Sequence, residues 1–139
     1  MDGASDPGSP SSAKRKRTPV QHEFELQRDL VRWLSAEYPD LPVQGSAVGA
    51  LLYGDKKQRA RQSAVLKSKG VSNGYPDVMI HAGGGHGKHG LGIELKCGNN
   101  KQSPAQKDWE RKLKLNEYEY IVVWTLEDAK DQIEKYLCS

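Results

Sequence analysis

Apolar residues along this chain recur at spacings that alternate between the helical and the strand period. Leu26, Leu30, Trp33 and Leu34 fall on one stripe and predict an amphipathic helix over residues 21–38, closed by Pro39 and Pro42. A short strand over residues 43–48 follows, then a helix over 56–69 with Ala60, Ala64 and Leu66 inward and Gly70 as its C-terminal cap. Val78-Met79-Ile80 is an unbroken apolar run behind the turn signal Gly74-Tyr75-Pro76, and it reads as a buried strand. Residues 91–97 read as a second strand, joined to the first by the glycine-rich hairpin connection 82–90. Ser103 and Pro104 open a helix to about residue 116 on the stripe Ala105, Trp109 and Leu113, and Gln106 completes a capping box with Ser103. Residues 118–124 form an apolar strand, and Thr125 caps a last helix with Ala129, Ile133 and Leu137 inward. The order α, β, α, β, β, α, β, α predicts an α/β fold, a mixed sheet flanked by helices.

Composition changes this picture mainly at the start. Residues 1–19 are Ser, Gly, Pro and Ala with a charge block, too few apolar groups to offset ordering entropy, and are expected to be disordered. Within them, Lys14-Arg15-Lys16-Arg17 reads as a nuclear-import signal, a DNA tether or a solvated charge run. Residues 20–139 are one domain. With 36% hydrophobic residues and no run long enough to span a bilayer or open as a signal peptide, the chain is expected to be soluble, intracellular and free of membrane. A net charge of +3 permits a nucleic-acid partner without demanding one. Cys97 and Cys138 lack metal-ligand spacing and read as reduced thiols. His81, His86 and His89 sit on or beside the glycine-rich link, which gives no rigid ligand geometry.

The chemistry lies in the paired strands. Side chains alternate along a strand, so Glu94 and Lys96 share a face and Leu95 points away. If the two strands pair, Asp77, Glu94 and Lys96 converge. Two carboxylates suit Mg²⁺, a hard cation, and a lysine beside them orients water or stabilises charge at a phosphate. Glu23 lies three residues before Leu26 and seven before Leu30, on the buried side of the first helix, whereas Glu25 is about 200° around from it. A carboxylate on that side needs a partner; the plainer reading is that Glu23 complements the helix dipole. Lys56, Lys57, Arg59, Arg61, Lys67 and Lys69 form the densest basic stretch of the fold. They read either as a solvated helix face or as a phosphate track, with Lys88 as a further phosphate contact.

The ordered set Gly74-x-Pro76-Asp77, Glu94-Leu95-Lys96, and Ser103-Pro104-Ala105-Gln106-x-x-Trp109-x-x-x-Leu113 resembles the VRR-NUC branch of the PD-(D/E)xK nuclease superfamily. The resemblance runs from about residue 23 to the C-terminus, and departs from the family pattern at Glu119, where a glycine is usual. It implies a restriction-endonuclease-like fold. It also implies Mg²⁺ or Mn²⁺ at Asp77, Glu94 and the Leu95 carbonyl, helped by Glu23, with Lys96 and Gln106 at the catalytic centre. The implied reaction is metal-dependent hydrolysis of a DNA phosphodiester, leaving a 5′-phosphate. Stand-alone members of that branch act as dimers on branched DNA. A chain with one Asp77-Glu94-Lys96 cluster would need a two-fold homodimer to cut a four-way (Holliday) junction symmetrically. The alternatives are a nucleic-acid-binding module that lost catalysis, or a nuclease directed to flaps, single strands or RNA.

Overall fold

The structure is a computed structural model and describes residues 18–46 and 52–138. The expectations for residues 1–17, including the basic block, and for the apolar stretch 47–51 lie outside the described residues. Helix α1 (Pro19–Glu37) begins two residues before its apolar stripe suggested. Thr18 is the cause: its hydroxyl accepts the Gln21 N–H at 3.2 Å, Gln21 Oε1 accepts the Thr18 N–H at 2.9 Å, and Pro19 supplies a helical φ. The same reciprocal box, Asp55 with Gln58 and Ser103 with Gln106, opens α2 (Lys56–Ser68) and α3 (Pro104–Leu115). The strands are β1 (Val43–Gly45), β2 (Val78–Ile80), β3 (Gly90–Leu95) and β4 (Tyr118–Val123), and α4 (Leu126–Cys138) ends the described chain. This is the predicted order of elements.

The sheet runs β1-β2-β3-β4, antiparallel except between β3 and β4. A parallel neighbour requires a crossover, and α3 provides it. β2 and β3 are the inner strands, and every residue of both is buried. Alternation then sorts the two faces. Val78, Ile80, Leu91, Ile93, Leu95 and Val123 pack with Leu26, Leu30 and Leu34 of α1 and Ala129, Ile133 and Tyr136 of α4. Met79 and Tyr120 face the other way, onto Leu113 of α3, with Tyr75, Trp109, Tyr118 and Val122 around them. Each fully buried leucine contributes about 1.5–3 kcal/mol to holding its helix in place. In α4 the inward position after Ile133 is Tyr136, and Leu137 is only half-buried. A 3.6-residue period drifts off a stripe of constant four-residue steps.

Helix α2 departs from expectation. Ala60 and Ala64 are exposed, Leu66 is half-buried, and no residue of the helix is buried. Two methyl groups and one leucine cannot hold down a face that carries charge all round. The helix is stapled instead to its own approach: Tyr53 N–H donates to Gln62 Oε1 at 3.0 Å, and Gln62 Nε2 donates to the Tyr53 carbonyl at 2.8 Å. Glu119 sits inside β4 opposite Leu91, and the left-handed residue of the turn after α3 is Glu117, at φ 64°.

Candidate active site

Strand β2 begins two residues after Pro76, which has no N–H to give to a sheet. Its antiparallel register, carried one step past Val78↔Ile93, sets Asp77 opposite Glu94. The Leu95 N–H donates to Asp77 Oδ2 at 2.7 Å, so a side chain continues the contact between strands. The Asp77 carbonyl accepts from the Ser46 N–H at 2.8 Å, which ties the same residue to β1's end. The loop before it is fastened to α3. Tyr75 meets Trp109 edge to face at 4.8 Å, and Trp109 Nε1 donates to Ser72 Oγ at 3.1 Å.

Glu94 is 1% exposed and lies under α3 on the same face as Met79 and Tyr120. Its two oxygens are in different situations. Oε1 accepts a hydrogen bond from the Tyr120 hydroxyl and a second from Gln102 Nε2 at 3.3 Å. Oε2 is buried with no hydrogen bond, and its nearest ionic neighbour is Lys96 Nζ at 3.6 Å. Lys96, 8% exposed, donates to Gln106 Oε1 at 2.9 Å. That same oxygen accepts the Ser103 N–H at 2.8 Å. The two parts read for Gln106, helix cap and neighbour of the cluster, are thus held by one atom.

Burial pushes the Asp77 carboxyl up to about 6; the negative charges of Glu23 and Glu94 push the same way, against the Leu95 N–H bond and Lys96. Glu23 is half-buried on α1, as is Glu25. Burial also raises the Tyr120 phenol, and Glu94 beside it raises it further, so Tyr120 stays a hydrogen-bond donor. Asp77, Glu94, Lys96 and Gln106 are therefore brought together, with Leu95 buried between the two members of its motif. Among the described residues no three His, Cys, Asp or Glu side chains form a ligand set on their own.

The remaining candidates lie elsewhere. Lys56, Lys57, Arg59, Arg61 and Lys67 are exposed on α2, and exposed Lys69 is its C-cap. Lys88 belongs to the hairpin at the Ile80–Leu91 end of the strands, away from Asp77 and Glu94, and its ammonium lies 3.9 Å from Glu117. His81 pairs with Gln44 at 3.1 Å, and His86 and His89 are exposed. Sequence reasoning missed Tyr120, Gln102 and Glu110. Gln102 donates to Glu110 Oε1 at 3.1 Å as well as to Glu94, and Lys114 holds Glu110 Oε2 at 2.7 Å. A signal existed for part of this. Residues 102, 106, 110 and 114 are Gln, Gln, Glu and Lys, a polar stripe at four-residue steps beside the apolar one of Ala105, Trp109 and Leu113.

No protein-family model matches the chain, and no curated protein matches it. A solved structure described as a VRR_NUC domain protein aligns with 88% of this chain and 90% of its own, at 27% sequence identity and a TM-score of 0.60. The chain has the α/β nuclease-like fold, a mixed four-stranded sheet flanked by helices, that it shares with that VRR_NUC domain protein.

Proposed function

We propose that this chain is a metal-dependent endonuclease that hydrolyses DNA phosphodiester bonds. One observation carries the reading: Asp77, Glu94 and Lys96 are gathered at a strand end, with Glu94 Oε2 buried, accepting no hydrogen bond, and facing the Lys96 ammonium at 3.6 Å. A buried carboxylate oxygen that accepts no hydrogen bond costs about 1–3 kcal/mol, which an ion pair alone offsets only in part and which a fold keeps when something else fills the place. Its chemistry, a hard oxygen next to a second carboxylate, fits Mg²⁺ or Mn²⁺. Asp77, Glu94 and the Leu95 carbonyl would hold the ion, with Glu23 adding negative charge nearby. A bound ion would lower the pKa of water and offset charge on the phosphoryl group. Lys96, kept in place by Gln106, would steady the attacking hydroxide or neutralise the extra phosphate charge. The VRR_NUC name of the similar structure supports the same class of reaction.

Helix α2 would follow the phosphate backbone. Lys56 and Lys57 occupy its first turn, where the helix dipole disfavours cations by about 0.3–1 kcal/mol each. Such a placement is explained by a partner that is more negative than the dipole is positive. We further propose that the substrate is branched DNA and that the active species is a homodimer, because one cluster per chain makes one cut.

The test is a panel of four-way junction, flap, splayed arm, linear duplex, single strand and matched RNA, with Mn²⁺ or with EDTA, beside light scattering for mass. Cleavage of the junction by a dimer, lost in EDTA, is expected. A monomer preferring flaps or single strands removes the junction reading, and metal-independent cleavage removes the metal. Glu23→Ala should need several-fold more metal to reach half its rate, because Glu23 would help hold the ion, directly or through water. An unchanged metal requirement would take Glu23 out of the site.

A further inference from the structure

Both oxygens of a ligand carboxylate can bind a cation, and which one does depends on what already occupies them. In Glu94 the division is complete. Oε1 accepts from Tyr120 and Gln102, filling both of its lone-pair directions, while Oε2 accepts nothing and faces Lys96. The two donors are themselves fixed. Tyr120 is buried in the cluster of Met79 and Leu113, so its hydroxyl has no freedom to leave. Gln102 spends its amide nitrogen on Glu94 and Glu110 together, and Glu110 is anchored by Lys114 at 2.7 Å. A chain of contacts thus runs from the outer face of α3 to one oxygen of a buried carboxylate.

We propose that Tyr120 and Gln102 are positioning residues that lock Glu94 so that it presents Oε2 alone to the metal. This rests on the metal-dependent reading above. The lock does two things. It prevents the carboxylate from turning to chelate through both oxygens, and it fixes the ligand's direction before the ion arrives, so binding loses less side-chain freedom. Glu110 and Lys114 hold Gln102 in place and touch neither substrate nor ion.

The experiment measures Mn²⁺ binding to the metal-free full chain without DNA, by electron paramagnetic resonance of free Mn²⁺. The chains compared are wild type, Asp77→Ala, Tyr120→Phe and Gln102→Ala. Tyr120→Phe keeps the ring that fills the core and removes only the hydroxyl. We expect it to weaken Mn²⁺ binding about tenfold, within the range seen when groups behind a metal ligand are lost. Gln102→Ala, outside the buried core, should weaken it in the same direction and serves if Tyr120→Phe does not fold. Added Mn²⁺ should restore part of the cleavage that both variants lose at limiting Mn²⁺, a dependence on metal concentration that general damage to the fold would not produce. Equal or tighter Mn²⁺ binding by Tyr120→Phe or, should that chain not fold, by Gln102→Ala overturns the lock, and a tighter result would mean the hydroxyl holds Glu94 away from the ion. Wild-type chain that binds no Mn²⁺, or binds it as well after Asp77→Ala, overturns the metal reading itself and the positioning role with it.

Discussion

Asp77→Asn should lower cleavage by roughly 10³-fold and at the same time make the metal-free protein more stable at pH 7. The two effects have one cause. Asp77 is buried beside Glu23 and Glu94, and its carboxyl is pushed up from 3.8 to about 6. Folded protein therefore binds this proton more tightly than unfolded protein does. Stability from this group is full below pH 4, falls as pH rises through about 6, and is absent at pH 7. A shift of that size corresponds to about 2–3 kcal/mol. Asparagine carries no charge to bury, and its oxygen still accepts the Leu95 N–H, so the variant avoids the loss. Urea unfolding in EDTA at pH 4, 5, 6 and 7 checks it: the curves of wild type and variant should coincide at the lowest pH and separate as pH rises. A variant no more stable than wild type at pH 7 would mean that Asp77 is not strained by its surroundings. Added Mn²⁺ should reverse the order, because only the aspartate gains from the ion.

This coupling of instability to function bears on how much of the molecule was legible in its sequence. Short-range chemistry was readable. Pro76 before an apolar run marked the strand end that carries Asp77, and period-2 alternation put Glu94 and Lys96 on one face. Ser103-Pro104-Ala105-Gln106 reads as a capped helix start, and Thr18-Pro19-Val20-Gln21 has the same form, so the first two residues of α1 are legible in the sequence. The burial of Glu94 under Tyr120 is not, because it depends on the parallel register that pairs Glu94 with Val122 and Gly92 with Tyr120. A register between strands separated by a helix is set by packing, and no local pattern announces it. Helix α2 failed for the opposite reason. Its alanines sit at helical spacing, but spacing says which residues share a side and not whether anything covers that side. The place of Lys88, by contrast, was legible: Asp77 precedes β2 and the glycine-rich link follows it, so Lys88 stands at the opposite end of the strand.

The close approach that assembles the site is at Gly74, and Gly74→Ala should be the most damaging small substitution outside the cluster. Gly74 has φ +82°, a conformation an alanine adopts at a cost of roughly 1–2 kcal/mol. The added Cβ would also lie 2.4 Å from the Ala105 carbonyl carbon, 2.5 Å from its oxygen and 2.6 Å from the Gln106 nitrogen. Those atoms are backbone in the first turn of α3, and no rotamer change relieves them. Either the loop moves, taking Tyr75, Pro76 and Asp77 with it, or the start of α3 moves, taking Gln102 and Gln106. Both routes separate the halves of the site, since Lys96 is held by Gln106 and Glu94 by Gln102. Adding about 1–3 kcal/mol for the clash gives roughly 2–5 kcal/mol of lost stability. Cleavage should fall further than the unfolded fraction accounts for, because displacements near 1 Å in a positioned site cost about 10²-fold. Gly70→Ala is the control. It has φ +92° and nothing within 4 Å of the built Cβ, so it carries the backbone penalty without the collision. Thermal melts and single-turnover cleavage of both variants separate the two contributions. If Gly74→Ala melts and cleaves like Gly70→Ala, the contact between this loop and α3 does not hold the site together.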